Sequence, residues 1–271
     1  MICFAVALTG RSIHARETTN LFPNVTARIC EGKIVTEFSP LWVHATWRIE
    51  WPEAISNVSR QVLGIIQRQM IDDCFGSMAR NGCGGEDKKV SEVYSTPDRA
   101  LQLVFSRVYS KLDVPPEDDH PTLRVFDFIA NLKIHFVNAG YMGYVLKGYE
   151  NEGGNGCHSY VVANVLSLTT GQLLKESDFM THSGLAAFPK AFFDRITYNE
   201  AVRSFVIGDV NDATAGLGNF VIVPEGIRWW VPAYSIFAGA AGVQDLLMTW
   251  QELKPFMKPG VENVFQAIFV K

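Results

Sequence analysis

The sequence of 271 residues lacks the features that identify several large classes of protein. It contains no run of about 18 apolar residues, so it predicts no membrane-spanning helix. Charged residues amount to only 19%, the net charge is −4, and lysine and arginine are scattered instead of forming a basic stripe. This distribution disfavours a nucleic-acid partner. The motifs G-x-S-x-G and H-E-x-x-H are also missing, so neither type of hydrolase is expected.

Cysteine is scarce, and its spacing does not suggest a metal site. The five cysteines include no C-x-x-C pair, and the sequence predicts neither a metal nor another cofactor. Cys74 and Cys83 flank the start of a glycine-rich stretch and are nine residues apart. A disulfide between them is one hypothesis and two unpaired thiols are the other, because the sequence cannot supply the geometry.

Apolar and aromatic residues, in contrast, are plentiful. Hydrophobic residues make up 48% of the chain, which has 18 phenylalanines and 6 tryptophans. This composition is enough for a substantial core and is not that of a disordered protein.

The first fifteen residues have two interpretations. The stretch from Ile2 to Leu8 is short and apolar, and Ala15 could precede a cleavage site, although the usual positive charge before the apolar stretch is missing. On this interpretation residues 1–15 are the remnant of a signal peptide, and the protein is exported to the periplasm or cell surface. On the other interpretation the segment is the first strand of the fold.

Hydrophobic periodicity predicts an α+β protein with a largely antiparallel sheet and helices packed on one face. Residues 16–40 have a mixed pattern and are expected to be partly irregular. Residues 43–51 alternate with period two, and Pro52 suits the first turn of a helix that ends near Gly76. Beyond residue 122 the predicted strands cover residues 126–137, 142–149, 159–168, 220–223, 227–231, 245–249 and 264–270. Thr249 and Glu252 have the spacing of a capping box at the start of a short helix.

A turn or linker is the clearest candidate for a boundary between two parts of the chain. Residues 113–122 contain three prolines and four acidic residues, a composition typical of loops. This boundary divides the chain into a smaller N-terminal α+β subdomain, residues 16–122, and a C-terminal α+β domain, residues 123–271. Both parts are small for an independent core, so the segment could equally be a loop within one assembly.

The glycine-rich segment Gly153–His158 is the first candidate site. Its three glycines allow positive φ angles and a close approach of backbone amides to a ligand. It is not a phosphate loop, because no Lys-Ser/Thr pair follows. Cys157 beside His158 suggests a thiol with its base, but neighbours in a strand point to opposite faces. A tight turn and a ligand contact through Gly153, Gly154 and His158 remain the alternatives.

A group of aromatic residues is the second candidate site. Trp229, Trp230 and Tyr234 surround Pro232 and precede a run of alanine and glycine. Tryptophan and tyrosine combine a large contact area with a polar group, which suits recognition. The alternative is a role in the core, and alternation along a strand predicts that one of the two tryptophans is more exposed than the other.

Two stretches resemble one family of bacterial extracytoplasmic domains. The first has Gly-Gly-x-x-x-His at residues 153–158, a strand, and then Leu-Thr-Thr-Gly-Gln at residues 168–172. The second contains Glu-Gly-Ile at 225–227, Tyr-Ser-Ile at 234–236, Ala-Ala-Gly at 240–242 and Leu-Lys-Pro at 253–255. Together they are similar to the extracytoplasmic domain of RsiV-type anti-sigma factors, also found in the non-catalytic part of a secreted peptidoglycan deacetylase. The chain departs from that pattern at 155–157 and 237–239.

The resemblance implies an α+β domain outside the cytoplasmic membrane with no catalysis of its own. The RsiV-type member senses lysozyme by binding it. The first hypothesis is therefore an exported binding or sensing protein whose partner is a protein such as lysozyme or a peptidoglycan fragment. The second is a cell-envelope hydrolase that uses His158 with an acid such as Asp178, and the third is a structural envelope module without a ligand.

Overall fold

The structure is a computed structural model that describes most of the chain. The described residues are 12–22, 24–38, 41–82, 124–138, 140–151 and 157–269, together with residues 96 and 99. The predicted linker at 113–122 lies outside these ranges, and so does the glycine-rich segment up to residue 156.

A six-stranded sheet is the largest element, and its strands follow chain order from one edge to the other. All neighbours are antiparallel except β3 and β4, which run parallel. The connection between these two strands contains the helix α1, Arg60–Gly82. The strands are β1 Ser12–Phe22, β2 Val25–Phe38, β3 Leu41–Ile55, β4 Arg124–Asn138, β5 Tyr141–Asn151 and β6 Cys157–Ser167.

A three-stranded antiparallel sheet and a series of short helices follow. Its strands are β7 Phe220–Val223, β8 Gly226–Val231 and β9 Gln244–Thr249. The helices are α2 Glu176–Phe179, α3 His182–Thr197, α4 Glu200–Arg203, α5 Trp250–Leu253 and α6 Val261–Gln266, with 3-10 turns at Asp212–Gly216, Gly239–Ala241 and Ala267–Phe269. The fold is α+β, as the hydrophobic pattern predicts.

Two hydrophobic cores lie on opposite faces of the large sheet. The first core joins α1 to one face of the sheet, with Ile66 and Met70 packed in the same cluster as Trp47. The second core joins the other face to the small sheet and α3. Successive residues of β6 serve different cores, since Val165 belongs to the second and Leu166 to the first. This follows from the alternation of side chains along a strand.

Three local predictions are wrong for identifiable reasons. Residues 16–40 are not irregular, because most of them form β1 and β2. Pro52 does not begin a helix but lies in β3, where the register with β2 shifts between Thr26 and Ala27. A bulge tolerates proline because the ladder is already interrupted there. Residues 264–270 do not form a closing strand, since α6 and a 3-10 turn occupy residues 261–269.

Several other predictions are confirmed. The predicted strands 220–223 and 227–231 correspond to β7 and β8, which form a hairpin that turns at residues 224–225. The Thr249 hydroxyl accepts from the Glu252 amide, and the Glu252 carboxylate accepts from the Thr249 amide, which completes the capping box. The division at residue 122 stays a prediction, although one sheet contains strands from both sides of it. Among the described helices, none has the length and apolar character needed to cross a membrane.

Candidate binding surface

Exposed apolar side chains concentrate at one place on the second layer. Among the described residues, six large hydrophobic side chains are exposed, and four of them lie on two neighbouring segments. We call these four the Tyr234 surface: Tyr198 (80% exposed), Phe205 (37%), Ile207 (65%) and Tyr234 (63%). Such clustering differs from the scattered single apolar residues that any protein surface carries.

Backbone hydrogen bonds join the two segments that carry this surface. An isolated antiparallel bridge pairs Val206 with Phe237. The Ala238 amide donates to the Phe205 carbonyl at 2.8 Å, and the Ile207 amide donates to the Ile236 carbonyl at 2.9 Å. Phe237 is fully buried in the second core, so the bridge is anchored from beneath. The backbone under Phe205 and Ile207 is therefore hydrogen-bonded to the segment that follows Tyr234.

Tyr234 is held in an uncommon backbone conformation. Its φ is +66°, a region that L residues other than glycine, asparagine and aspartate seldom adopt. The Tyr234 amide donates to the Phe237 carbonyl at 3.0 Å, and the Ser235 hydroxyl donates to the Pro232 carbonyl at 2.7 Å. A Cβ atom added at Gly239 would overlap the Tyr234 ring. The missing side chain of Gly239 thus provides the space in which the ring lies.

A cavity with a charged rim adjoins the Tyr234 surface. Its volume is about 380 Å³, and its lining includes Tyr198, Arg203 and Val206. Its charged lining residues are one acid and one base, Asp194 and Arg203, and Asp194 Oδ2 accepts from Lys190 Nζ at 2.7 Å. An apolar centre with a charged rim is the arrangement of many protein-binding sites.

Trp229 belongs to the core and not to this surface. Its side chain has 0% exposure, and its ring lies 5.3 Å from Phe188 and 5.8 Å from Phe220 between centroids. Its Nε1 donates to Glu176 Oε1 at 3.2 Å, and this carboxylate also accepts from the Gly218 amide. The prediction that Trp229 contacts a ligand is therefore replaced by a packing role, because no part of its side chain reaches solvent.

Trp230 follows Trp229 on the other side of β8, where it is half-buried and packs against the margin of the same core. The prediction that the two tryptophans differ in exposure is confirmed. The Trp230 amide donates to the Asn219 carbonyl at 2.9 Å, and Asn219 Nδ2 donates to the Trp230 carbonyl at 2.9 Å. The same Nδ2 donates to the Val161 carbonyl, and Asn219 Oδ1 accepts from the Ala163 amide. Asn219 thus ties β8, which carries Trp230, to the edge strand β6.

Only the last two residues of the segment Gly153–His158 lie within the part of the chain that the structure describes. Gly153 and Gly154 lie outside the described residues, so their ligand contact stays a prediction. His158 lies in β6 directly opposite Glu150 of β5. Asp178 Oδ2 accepts from the Lys175 amide at 2.8 Å, and the Leu174 amide, shortly before α2, bonds to the Val165 carbonyl. Val165 is seven residues along β6 from His158, which is roughly 23 Å at the usual rise per residue.

A buried polar cluster lies between α1 and the large sheet. Asp73 Oδ2 accepts from the Tyr144 hydroxyl and, at 2.7 Å, from Asn164 Nδ2. Asp73 Oδ1 accepts from Gln69 Nε2 at 2.9 Å. Burial raises the pKa of Asp73 above 3.8, against the opposite effect of these hydrogen bonds. Burial and the nearby Asp73 carboxylate raise the pKa of Tyr144 well above 10.0. The cluster is fully occupied by its own partners and serves to attach the helix.

Cys74 is a free thiol that points into the first core. Burial raises its pKa well above 9.0, with a further contribution from Asp73. A thiol in such a setting is inert as a nucleophile. Cys83 lies outside the described residues, so the structure offers no support for a disulfide between these two cysteines. Within the described part of the chain, no group of histidine, cysteine and carboxylate side chains is arranged to hold a metal ion.

Sequence reasoning missed three of the four residues of the Tyr234 surface. Tyr198, Phe205 and Ile207 look like ordinary core positions in a stretch of mixed pattern. A weak signal was available, because Asn199 is a good N-cap residue and its side chain does accept from the Ala201 amide at 3.0 Å. Asn199 begins the short helix α4, so Tyr198, the residue before it, lies outside the packed face of α3.

Comparison with known proteins adds a fold relationship. No known family profile and no curated protein sequence matches the chain. A crystal structure of a DUF3298 family member from Bacteroides fragilis has a TM-score of 0.63 at 11% identity, covering 90% of this chain and 99% of its own. The fold is shared with DUF3298 proteins. A second DUF3298 structure, from Pseudomonas aeruginosa, has a TM-score of 0.53 at 10% identity, covering 87% and 95%.

The likeness to DUF3298 structures concerns the fold alone, because the sequence identities are too low to carry an activity. Both of these neighbours come from bacteria. The resemblance to RsiV-type domains rests on the sequence motifs of the second half of the chain and stays a prediction beside this finding.

Proposed function

We propose that the chain is an RsiV-like binding or sensing domain, exported from a bacterial cell, that contacts a macromolecular ligand through the Tyr234 surface. The observation that carries the proposal is the concentration of four exposed apolar side chains on two hydrogen-bonded segments. Clusters of this kind are typical of protein-binding sites, where a few aromatic residues contribute most of the binding energy.

The backbone of Tyr234 supports a functional role for this surface, and the sequence resemblance suggests which partner to test first. Tyr234 stands on a strained backbone position that neighbouring hydrogen bonds maintain, and strain of this kind occurs mostly at functional sites. The rim contains both an acid and a base, Asp194 and Arg203, so it does not select the charge of a partner. The RsiV-type domain that the sequence resembles senses lysozyme by binding it, so a lysozyme is the first ligand to test. Soluble peptidoglycan fragments are the second.

Surface plasmon resonance with the immobilised protein tests the proposal. A c-type lysozyme and purified muropeptides are injected in turn. Tyr234→Asn removes the ring while keeping a residue that tolerates positive φ, and Phe205→Ala removes a second apolar side chain. We expect each variant to weaken binding at least about tenfold, since truncating a central aromatic residue commonly costs 2 kcal/mol or more.

The control for this experiment is Val264→Ala. Val264 is also apolar and 48% exposed, but it lies on α6, away from the Tyr234 surface. Its affinity should stay within about twofold of the wild type. Circular dichroism melts establish that all variants are folded. The proposal is refuted if neither ligand class binds, or if Tyr234→Asn and Val264→Ala behave alike.

The alternative functions have less support. A hydrolase built on His158 and Asp178 would need a carboxylate free to serve His158, whereas Asp178 Oδ2 already accepts from the Lys175 amide at the start of α2. Glu150 is the acid opposite His158 in the register, and it would have to replace Asp178 in that hypothesis. A purely structural module does not require an exposed aromatic cluster, so the Tyr234 surface favours binding over that alternative.

A further inference from the structure

Loops from one end of the large sheet line a second cavity, which shares no residue with the Tyr234 surface. Its volume is about 410 Å³, within the range of about 300–1,000 Å³ typical of small-molecule sites. Four connections meet there: the turn before β2, the loop between β3 and α1, the turn between β4 and β5, and the turn after β6. The lining residues are Asn24, Ile55–Ser59, Val62, Val137, Asn138, Gly140, Leu168 and Thr169. Loops on a rigid scaffold are the usual place for a binding site.

The cavity has an apolar floor and a neutral polar rim. Ile55 and Val137 are buried in the first core, with Val62 and Leu168 packed against it. Around them stand the amides and hydroxyls of asparagine, serine and threonine. Among the described residues that line the cavity, none carries an ionisable side chain. A charged ligand would lose hydration there without gaining an opposite charge, so the lining selects a neutral one.

Main-chain hydrogen bonds hold the loops in place. The Ser56 amide donates to the Asn24 carbonyl at 2.9 Å, and the Leu168 amide donates to the Gly140 carbonyl at 2.6 Å. Ser59 caps α1, because its hydroxyl accepts from the Val62 amide at 3.2 Å. Asn57 has a φ of +64°. The cavity is therefore preformed by connections between neighbouring loops and does not depend on a ligand for its shape.

We propose that this cavity binds a neutral saccharide unit. A sugar ring has an apolar face that fits the aliphatic floor and hydroxyl groups that both donate and accept. Asparagine amides and serine or threonine hydroxyls likewise donate and accept, so they match hydroxyl groups in either role. The site is separate from the Tyr234 surface, with which it shares no lining residue, and it goes beyond the proposed function of that surface.

Ligand-observed saturation-transfer NMR on the full chain tests the proposal. The probes are glucose, N-acetylglucosamine and their β-1,4-linked dimers, with glucose 6-phosphate as an anion of similar shape. We expect saturable transfer to at least one neutral saccharide and weaker transfer to the phosphate. The affinity of that saccharide should not change with salt concentration, because no ion pair forms.

Two variants assign the binding to this cavity. Thr169→Val keeps the side-chain shape and removes the hydroxyl. Asn57→Gly removes the amide and leaves the positive φ unstrained. Each should weaken the saccharide about two- to tenfold, the usual effect of losing one hydrogen bond. Asn263→Ala on α6 is the matched control and should have no effect.

The outcomes separate this proposal from the function assigned to the Tyr234 surface. Tyr234→Asn should leave binding of these mono- and disaccharide probes unchanged, whatever it does to lysozyme or to the larger muropeptides. The proposal fails if no neutral saccharide gives saturable transfer, if glucose 6-phosphate binds more tightly than all of them, or if the cavity variants bind as the wild type does.

Discussion

Trp229 and Trp230 show how one position along a strand changes the role of a side chain. Trp229 faces the second core, with 0% exposure and a hydrogen bond to Glu176. Trp230 lies on the other side of β8 and is half-buried, with only part of its side chain packed against that core. The two side chains are chemically identical, and their difference in exposure comes from the alternation of side chains along β8.

A matched pair of substitutions tests this difference. Trp229→Phe should lower the free energy of unfolding by about 1–3 kcal/mol, because it leaves a space in the core and removes the donor to Glu176. Trp230→Phe should lower it by less than about 1 kcal/mol. Urea denaturation followed by far-UV circular dichroism gives both values. Similar losses in the two variants would contradict the assignment of Trp229 to the core.

At the scale of elements, α1 is attached to the sheet by apolar contacts and by one carboxylate. Ile66 and Met70 supply the apolar contacts. Asp73 reaches Tyr144 on β5 and Asn164 on β6, so one side chain connects the helix to two strands. Burial raises its pKa above 3.8, which means that the folded protein resists ionisation of this group.

This element has a predictable pH dependence. Because the folded state keeps the Asp73 proton to a higher pH than the unfolded chain does, unfolding becomes easier as the pH rises from about 4 through the folded pKa. Asp73→Asn lacks this titration. Its stability relative to the wild type should therefore increase over that window and level off above it. Urea titrations at several pH values measure the difference, and a constant difference would show that Asp73 does not titrate.

At the scale of the whole molecule, one sheet serves two cores. Strands β4, β5 and β6 have residues in both cores, so the two cores pack against opposite faces of the same strands. Asn219 reinforces the second layer from the edge, because it bonds to Val161 and Ala163 of β6 and to Trp230 of β8.

Removing this connection should weaken the entire second layer. Asn219→Ala deletes three hydrogen bonds and leaves partly buried backbone groups without their partner, so the free energy of unfolding should fall by about 1–3 kcal/mol. Asn263→Ala, on the exposed side of α6, should change it by less than about 0.5 kcal/mol. Thermal and urea unfolding give the comparison, and an equal effect of the two variants would argue against a bridging role.

Local sequence patterns predicted which helices and strands exist better than they predicted where these begin and end. The alternation in residues 43–51 and 126–137 identified β3 and β4, and the capping box identified α5. Pro52 misled the prediction, because a proline before a helical pattern usually belongs to the helix. Its place at a bulge depends on the register with β2, which the local sequence does not contain.

The sequence by itself determined the α+β class, the strand order within hairpins and the difference between Trp229 and Trp230, because these depend on side-chain period and on turns between neighbouring residues. Only the tertiary structure decided which apolar residues remain exposed. Phe205, Ile207 and Phe237 have similar hydrophobicity, yet the first two lie on the surface and the third has 0% exposure. Burial depends on the element that packs above a residue, and that element comes from a distant part of the chain.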